Sequence, residues 1–249
     1  MSRIGSLVAI AVLASRVAHA QAGMQDHMGM MGGATMFTVR VENVSTPQTL
    51  RLSNGQTAPA PTAPVLWVVH TAASPIYTDG QLDRGLGLER LAEDGNPTFL
   101  AGALGGRPGI ISVGADAIPV GDAKPGPITP GKAYQFTVTA TPGQKLTLAF
   151  MFGQSNDLFY APVGSGIDLF PGGKPFTGDL TSQLVLWDAG TEVNEEPGLG
   201  PNQAPRQAQP NTGPSERQPV ARVKDRFTYP AVSQVIRVTV TPQAPVRMM

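Results

Sequence analysis

The sequence predicts an all-β antiparallel sandwich carrying one or two short inserted helices, and three observations predict it. Apolar and polar residues alternate with a period of two in several segments, the signature of a strand with one wet face. The chain is rich in turn formers, 29 Gly and 24 Pro in 249 residues, which suits many strands and few long helices. Only one stretch, Leu86 to Asp94, has convincing helical periodicity: Leu88, Leu91 and Ala92 share a face and Gly95 stands where a terminating glycine belongs.

The first twenty residues read as a secretory signal. Arg3 supplies a positive start, Leu7 to Ala14 an apolar run, and Ala18-His19-Ala20 a small-x-small cleavage pattern. That run is shorter than the ~20 apolar residues a transmembrane helix needs, and no other segment is apolar enough to cross a membrane. The expectation is export, to a periplasm or beyond the cell. Residues 21–35 hold four methionines and His27 without apolar periodicity. They read as a flexible leader, although thioether sulfur also suits Cu(I).

Ordered structure is expected over residues 36–241. Phe37, Val39 and Val41 alternate with polar neighbours and form the first strand. Residues 43–64 are turn-rich, with room for a brief strand at Thr49–Leu52. Val65–His70 is a continuous apolar run with the β-branched content of a buried strand. His70 at its end reads as a satisfied or exposed histidine, not a ligand. After the helix, Asn96-Pro97-Thr98 restarts the chain into a second short helix at Phe99–Ala101, both helices being insertions at one end of the sandwich. Ile110–Val113 is a further strand, and Asp116 and Asp122 bracket a turn as solvated acids. Lys132–Ala140 and Lys145–Phe152 form a hairpin about Thr141-Pro142-Gly143-Gln144. A tight strand and turn follows over residues 164–173, then a strand at Leu184–Trp187. Glu195 and Glu196 read as exposed. Residues 197–218, almost without apolar side chains, form a long loop. A last strand spans Val232–Val240, and residues 242–249 fray.

The chemistry gathers at two strand ends. The hairpin's second strand runs into Ser155-Asn156-Asp157, and Leu184–Trp187 runs into Asp188-Ala189-Gly190-Thr191-Glu192. Asp188 and Glu192 flank a segment small enough to fold back, with Gly190 granting the freedom in φ that the turn needs. Two loops bearing hard carboxylate oxygens at one pole point to calcium, which takes six to eight oxygens at about 2.3–2.6 Å. Zinc prefers His or Cys, and neither lies nearby.

The runs SNDLFYAP, LWDAGTE and YPAVSQVIRVTV resemble the spondin N-terminal domain family, in which an S-x-D-W/L segment precedes a W-D-A-G-T-D/E loop. The resemblance covers roughly residues 36–241 and is strongest from Leu146 onward. It implies a C2-like sandwich in which Asp157, Asp188 and Glu192 bind one calcium ion. Two features depart from the family's pattern. Glu192 stands where animal members carry Asp, and the chain has no cysteine, whereas those domains are tied by disulfides. Animal members are parts of large matrix proteins with thrombospondin-type repeats, and none is appended here, so an adhesive or matrix-associated role does not transfer automatically with the domain.

Composition narrows the function classes. Lys+Arg and Asp+Glu both number 18, and loss of Arg3 and Arg16 with the signal leaves 16 against 18, a net −2. That balance makes no electrostatic case for nucleic acid. No G-x-S-x-G, H-E-x-x-H, P-loop or dinucleotide fingerprint is present, so no enzyme is expected. The reading is an exported calcium-binding module for a protein, glycan or lipid surface. The alternatives are a hydrolase using the acidic pole, or a copper-handling protein acting through the leader.

Overall fold

The computed structural model describes residues 33–244. The residues read as a signal (1–20), most of those read as a leader (21–35) and the end of the expected tail lie outside the described residues. Strands and short helices follow as β1 (Thr35–Asn43), β2 (Leu50–Arg51), β3 (Thr57–Ala58), β4 (Val65–His70), α1 (Leu88–Asp94), α2 (Thr98–Leu104), β5 (Ile110–Asp116), β6 (Ala133–Ala140) and β7 (Lys145–Met151). Then come β8 (Leu158–Pro162), β9 (Ile167–Asp168), β10 (Gly178–Asp179), β11 (Leu184–Asp188), β12 (Ala221–Arg222), α3 (Val232–Val235) and β13 (Ile236–Pro242).

The strands form an all-β antiparallel sandwich. One sheet has the order β10-β13-β1-β6; the other runs β12-β11-β8-β7-β4-β5, with β9 pairing to β7. Alternation along β1 turns Phe37, Val39 and Val41 inward, where they pack with Tyr134, Phe136 and Val138 of β6 and Val238 and Val240 of β13. Facing them from the larger sheet are Val65, Val69, Leu146, Leu148, Phe150, Leu158, Tyr160 and Leu186. Each fully buried large side chain of this kind contributes about 1.5–3 kcal/mol of hydrophobic stabilisation.

The other face of the larger sheet explains why β4, β7 and β8 are apolar at nearly every position. Leu66, Val68, Ala149, Phe159 and Trp187 point away from the first core and are covered by Leu88, Leu91 and Ala92 of α1 and Leu100 and Leu104 of α2. The helices therefore lie on a sheet face and build a second core, where the sequence alone suggested insertions at one end. A sheet buried on both faces needs apolar side chains in both registers, and that requirement erases the alternation.

Other differences are local. Val232–Val235 is a single helical turn, and the last strand begins at Ile236. The Gln234 side chain accepts a hydrogen bond from the Ala231 amide at 3.0 Å and holds the turn. Asp116 is half-buried and accepts a hydrogen bond from Trp67 Nε1 at 2.8 Å, so it is a partner of the core and not a solvated acid. Glu196 accepts from Ser53 N and Oγ, both at 2.6 Å, and is anchored. His70 is fully buried, with Nδ1 2.8 Å from Ala72 O and Nε2 2.8 Å from Thr147 Oγ1. Among the described residues, no helix is long and apolar enough to cross a membrane.

Candidate metal centre

Strand register brings the first two acids together. Strands β8 and β11 pair with Leu158 opposite Asp188, so Asp157 stands one step beyond the ladder's end, where its carbonyl accepts a hydrogen bond from Ala189 N at 3.2 Å. On the other side of β11, Ala221 of β12 pairs with Asp188. The chain entering β12 continues alongside the 188–193 loop. Its contacts are Val193 N to Pro214 O at 2.9 Å, Glu216 N to Thr191 O at 2.9 Å and Gln218 N to Gly190 O at 2.9 Å. Gly190 makes that approach feasible: its φ is 68°, and a Cβ there would lie 2.3 Å from Gln218 O.

Carboxylate oxygens of Asp157, Asp188 and Glu216 lie within 4.8 Å of one another. Asp157 is fully buried, and the other two are half-buried. The Asp157 carboxylate is divided in its bonding. Oδ2 accepts from Thr191 N at 2.8 Å, Thr191 Oγ1 at 3.3 Å and Glu192 N at 3.1 Å. Oδ1 is buried and has no hydrogen-bond partner among the described residues. Asp188 is oriented through Oδ1 by Gly190 N at 2.8 Å and through Oδ2 by Asn194 Nδ2 at 2.7 Å.

Glu192 lies beside this group with its carboxylate directed elsewhere. Its backbone N–H serves Asp157, while its side chain, also buried, accepts from Asn156 Nδ2 at 3.3 Å. Asn156 Nδ2 also donates to Glu195 Oε2 at 3.2 Å, and Asn202 holds the same carboxylate through its N and Nδ2. Glu195 is thus half-buried and tied down, not exposed. Of the three acids expected from the sequence, the structure brings together Asp157 and Asp188 and makes Glu216 the third member of the tight group. Glu216 comes from the long polar segment, where neither spacing nor periodicity marked it; only the pairing of residues 214–218 with the 190–193 loop shows it.

The electrostatics follow from crowding acids in a dry place. Burial, then the neighbouring Asp188, raises Asp157 to about 8, with Glu216 adding to the push. Burial raises Asp188 as well, with repulsion from Asp225 adding to it, against the hydrogen bonds from Gly190 and Asn194 and a carboxyl–carboxyl hydrogen bond with Asp157 when that group is protonated. Glu216 is raised by burial and by Asp188. Glu192 is pushed up to about 7 by burial, with repulsion from Glu195 and Asp94 adding to it and its bond to Asn156 opposing. A cation among the oxygens of Asp157, Asp188 and Glu216 would oppose those three shifts. The donor set is all oxygen and the buried Oδ1 lacks a hydrogen-bond partner, so the group could hold a metal ion.

A scan of protein-family models returns no match to the chain, and no curated protein matches it.

Proposed function

We propose that this chain is an exported calcium-binding β-sandwich module, in which one ion ties the loop after β11 to the start of β8 and the approach to β12. The reading rests on one observation: a fully buried Asp157 whose Oδ1 has no partner, set against two further carboxylates. Leaving such a group unsatisfied costs about 1–3 kcal/mol, more when charged, and an ion of opposite charge removes both the orphaned oxygen and the repulsion. The spondin-like runs around Asp157 and Asp188 support calcium as the ion, as does the absence of His and Cys from the group. Export is supported by the signal-like first twenty residues. An ion-fixed pole serves to shape a surface for a protein, glycan or lipid partner.

Thermal unfolding with and without calcium tests the reading. An ion that binds only the folded state stabilises it by about 2.7 kcal/mol at 100 times its dissociation constant. Magnesium, which demands tight octahedral geometry and gives up water reluctantly, shifts the transition less. Equal transitions with calcium and with chelator would remove the proposal.

A further inference from the structure

A second buried titratable side chain, unused by the calcium reading, stands at the other end of the larger sheet. His70 ends β4 opposite Lys145, where β7 begins, whereas Asp157 lies past Phe159, which is paired with Met151 where β7 ends. The length of β7, roughly 20 Å, keeps the two apart. His70 is fully buried, and its bonds fix its state. Ala72 O can only accept, so Nδ1, 2.8 Å away, carries the ring proton. Nε2 of the neutral ring then offers a lone pair, and Thr147 Oγ1 donates to it at 2.8 Å. Thr147 is itself buried, and the Gly166 backbone closes over both: a Cβ at Gly166 would lie 2.7 Å from Thr147 Oγ1 and 3.0 Å from His70 Nε2.

Among the described residues, the elements around the ring offer it no free carboxylate. Lys145 of β7 is the charged residue directly opposite, Asp168 of β9 is engaged with Lys145 at 3.2 Å, Ile110 faces His70 from β5, and residues 71–73 are uncharged. Burial holds the imidazole below its ordinary value, with repulsion from Lys145 adding to the effect and the bond to Ala72 opposing it. From this arrangement we propose that His70 is the bolt of an acid-operated latch, whose protonation releases residues 163–168 from β7. A proton on Nε2 replaces an acceptor by a donor, so the Thr147 hydroxyl must turn away and a buried charge is left beside Lys145 without a counter-ion. The least secured neighbour yields. Strand β4 is paired along its length on both sides, whereas β9 is held to β7 by two residue pairs, Lys145 with Asp168 and Leu146 with Ile167, and by a partly exposed ion pair of little worth. Opening there admits water to the ring and uncovers Ile167, which is fully buried in the closed form. The unfolded histidine binds its proton at about 6.5, ahead of the folded one, so this contribution to stability is complete above that pH and is lost as pH falls. The sign is opposite to that of the acids at the metal pole.

The test is residue-resolved hydrogen exchange of the full chain across a pH series, set beside NMR titration of the His70 imidazole, whose signal is assigned through its proximity to Thr147. The expected result is that protection factors in the β7–β9 ladder fall at least tenfold with the midpoint of the His70 titration, while the β1–β6 ladder keeps its protection. His70→Gln retains one donor and one acceptor and cannot ionise, so its β7–β9 ladder should stay protected over the same range. Protection that outlasts the protonation of His70, a loss whose midpoint differs from that of the imidazole, or the same loss in His70→Gln overturns the latch. A fall in protection shared by every strand also overturns it, since the release would then be global unfolding. Should His70→Gln fail to fold, the agreement or disagreement of the two midpoints in the parent chain decides.

Discussion

Asn43 and Asp157 are both fully buried polar side chains at strand ends, yet they are built to opposite rules. Asn43 closes β1 with every bond made. Its Nδ2 donates to Ala60 O at 2.8 Å and Ile128 O at 3.0 Å, and its Oδ1 accepts from Ser45 N at 3.0 Å and Ser45 Oγ at 2.6 Å. Asp157 has three donors on one oxygen and none on the other. A complete network is architecture, because a low-dielectric interior makes satisfied polar groups rigid and unsatisfied ones expensive. An incomplete one, ringed by like charges, is a demand for something from outside.

The largest expected effect breaks the architectural member. Asn43→Ala leaves the carbonyls of Ala60 and Ile128 short of a donor in the core and should cost on the order of 2–3 kcal/mol. The loss should be the same in calcium and in chelator, as read from denaturant unfolding. A loss that calcium repairs would place Asn43 in the ion's site and collapse the contrast.

Asp157→Asn should behave in the opposite way. The amide keeps an oxygen for Thr191 and Glu192 and turns an N–H donor towards the acids, so the ion-free protein should become more stable than the parent. The calcium-induced rise in melting temperature, several degrees for the parent, should disappear. If Asp157→Asn destabilises the ion-free protein, the carboxylate is not held there against repulsion.

How much of this contrast could be read in the sequence depends on how local its causes are. The β6–β7 hairpin, β1 and α1 are legible because each is specified by its own alternation, turn or cap. Strand β8 escapes because Leu158 to Pro162 is buried on both faces, and two-residue β12 exists only through its pairing with β11. The site divides in the same way. Asp157 and Asp188 sit at the ends of strands, so the strands point to them. Glu216 arrives by a non-local pairing of an irregular segment, for which no residue pattern exists. Asn43 looks like an ordinary turn residue until the carbonyls of Ala60 and Ile128 are in place.

Acid–base titration sharpens the comparison, since only the incomplete site titrates. Asp157 is raised to about 8, well above the ordinary carboxylate value of about 3.9 it regains on unfolding. Asp188, Glu192 and Glu216 are displaced in the same direction. Between these limits the folded state holds more protons than the unfolded one. Stability in chelator should therefore be full below about pH 4 as far as these groups are concerned, and should fall as pH rises towards 8. In saturating calcium the part of that decline due to Asp157, Asp188 and Glu216 should vanish, while the part due to Glu192 and to buried Glu93, each raised to about 7, should remain. Melting temperatures at pH 5 and 8, with and without the ion, read the difference directly; a decline that persists unchanged in calcium would assign it to other groups.

The smallest effect decides which acid is the third ligand. The spondin-like pattern implies Glu192, four residues after Asp188, whereas the side chains that meet are those of Asp157, Asp188 and Glu216. Glu192 has an alternative engagement: its carboxylate accepts from Asn156, and its backbone N–H contributes to orienting Asp157. Glu216 has none of that, since its N–H is spent on Thr191 O and its carboxylate is left to the acidic group. Glu216→Gln removes one charged oxygen donor from the ion and should weaken calcium about tenfold, equivalent to about 1.4 kcal/mol. Glu192→Gln keeps the backbone N–H that orients Asp157 and removes only a neighbouring charge, so calcium affinity should change by less than about threefold, or 0.7 kcal/mol. Calorimetric titration of the two variants beside the parent gives the order. If Glu192→Gln is the more damaging of the two, the ion draws the Glu192 side chain away from Asn156 on binding, and the buried amide beside it becomes the part of the site that rearranges.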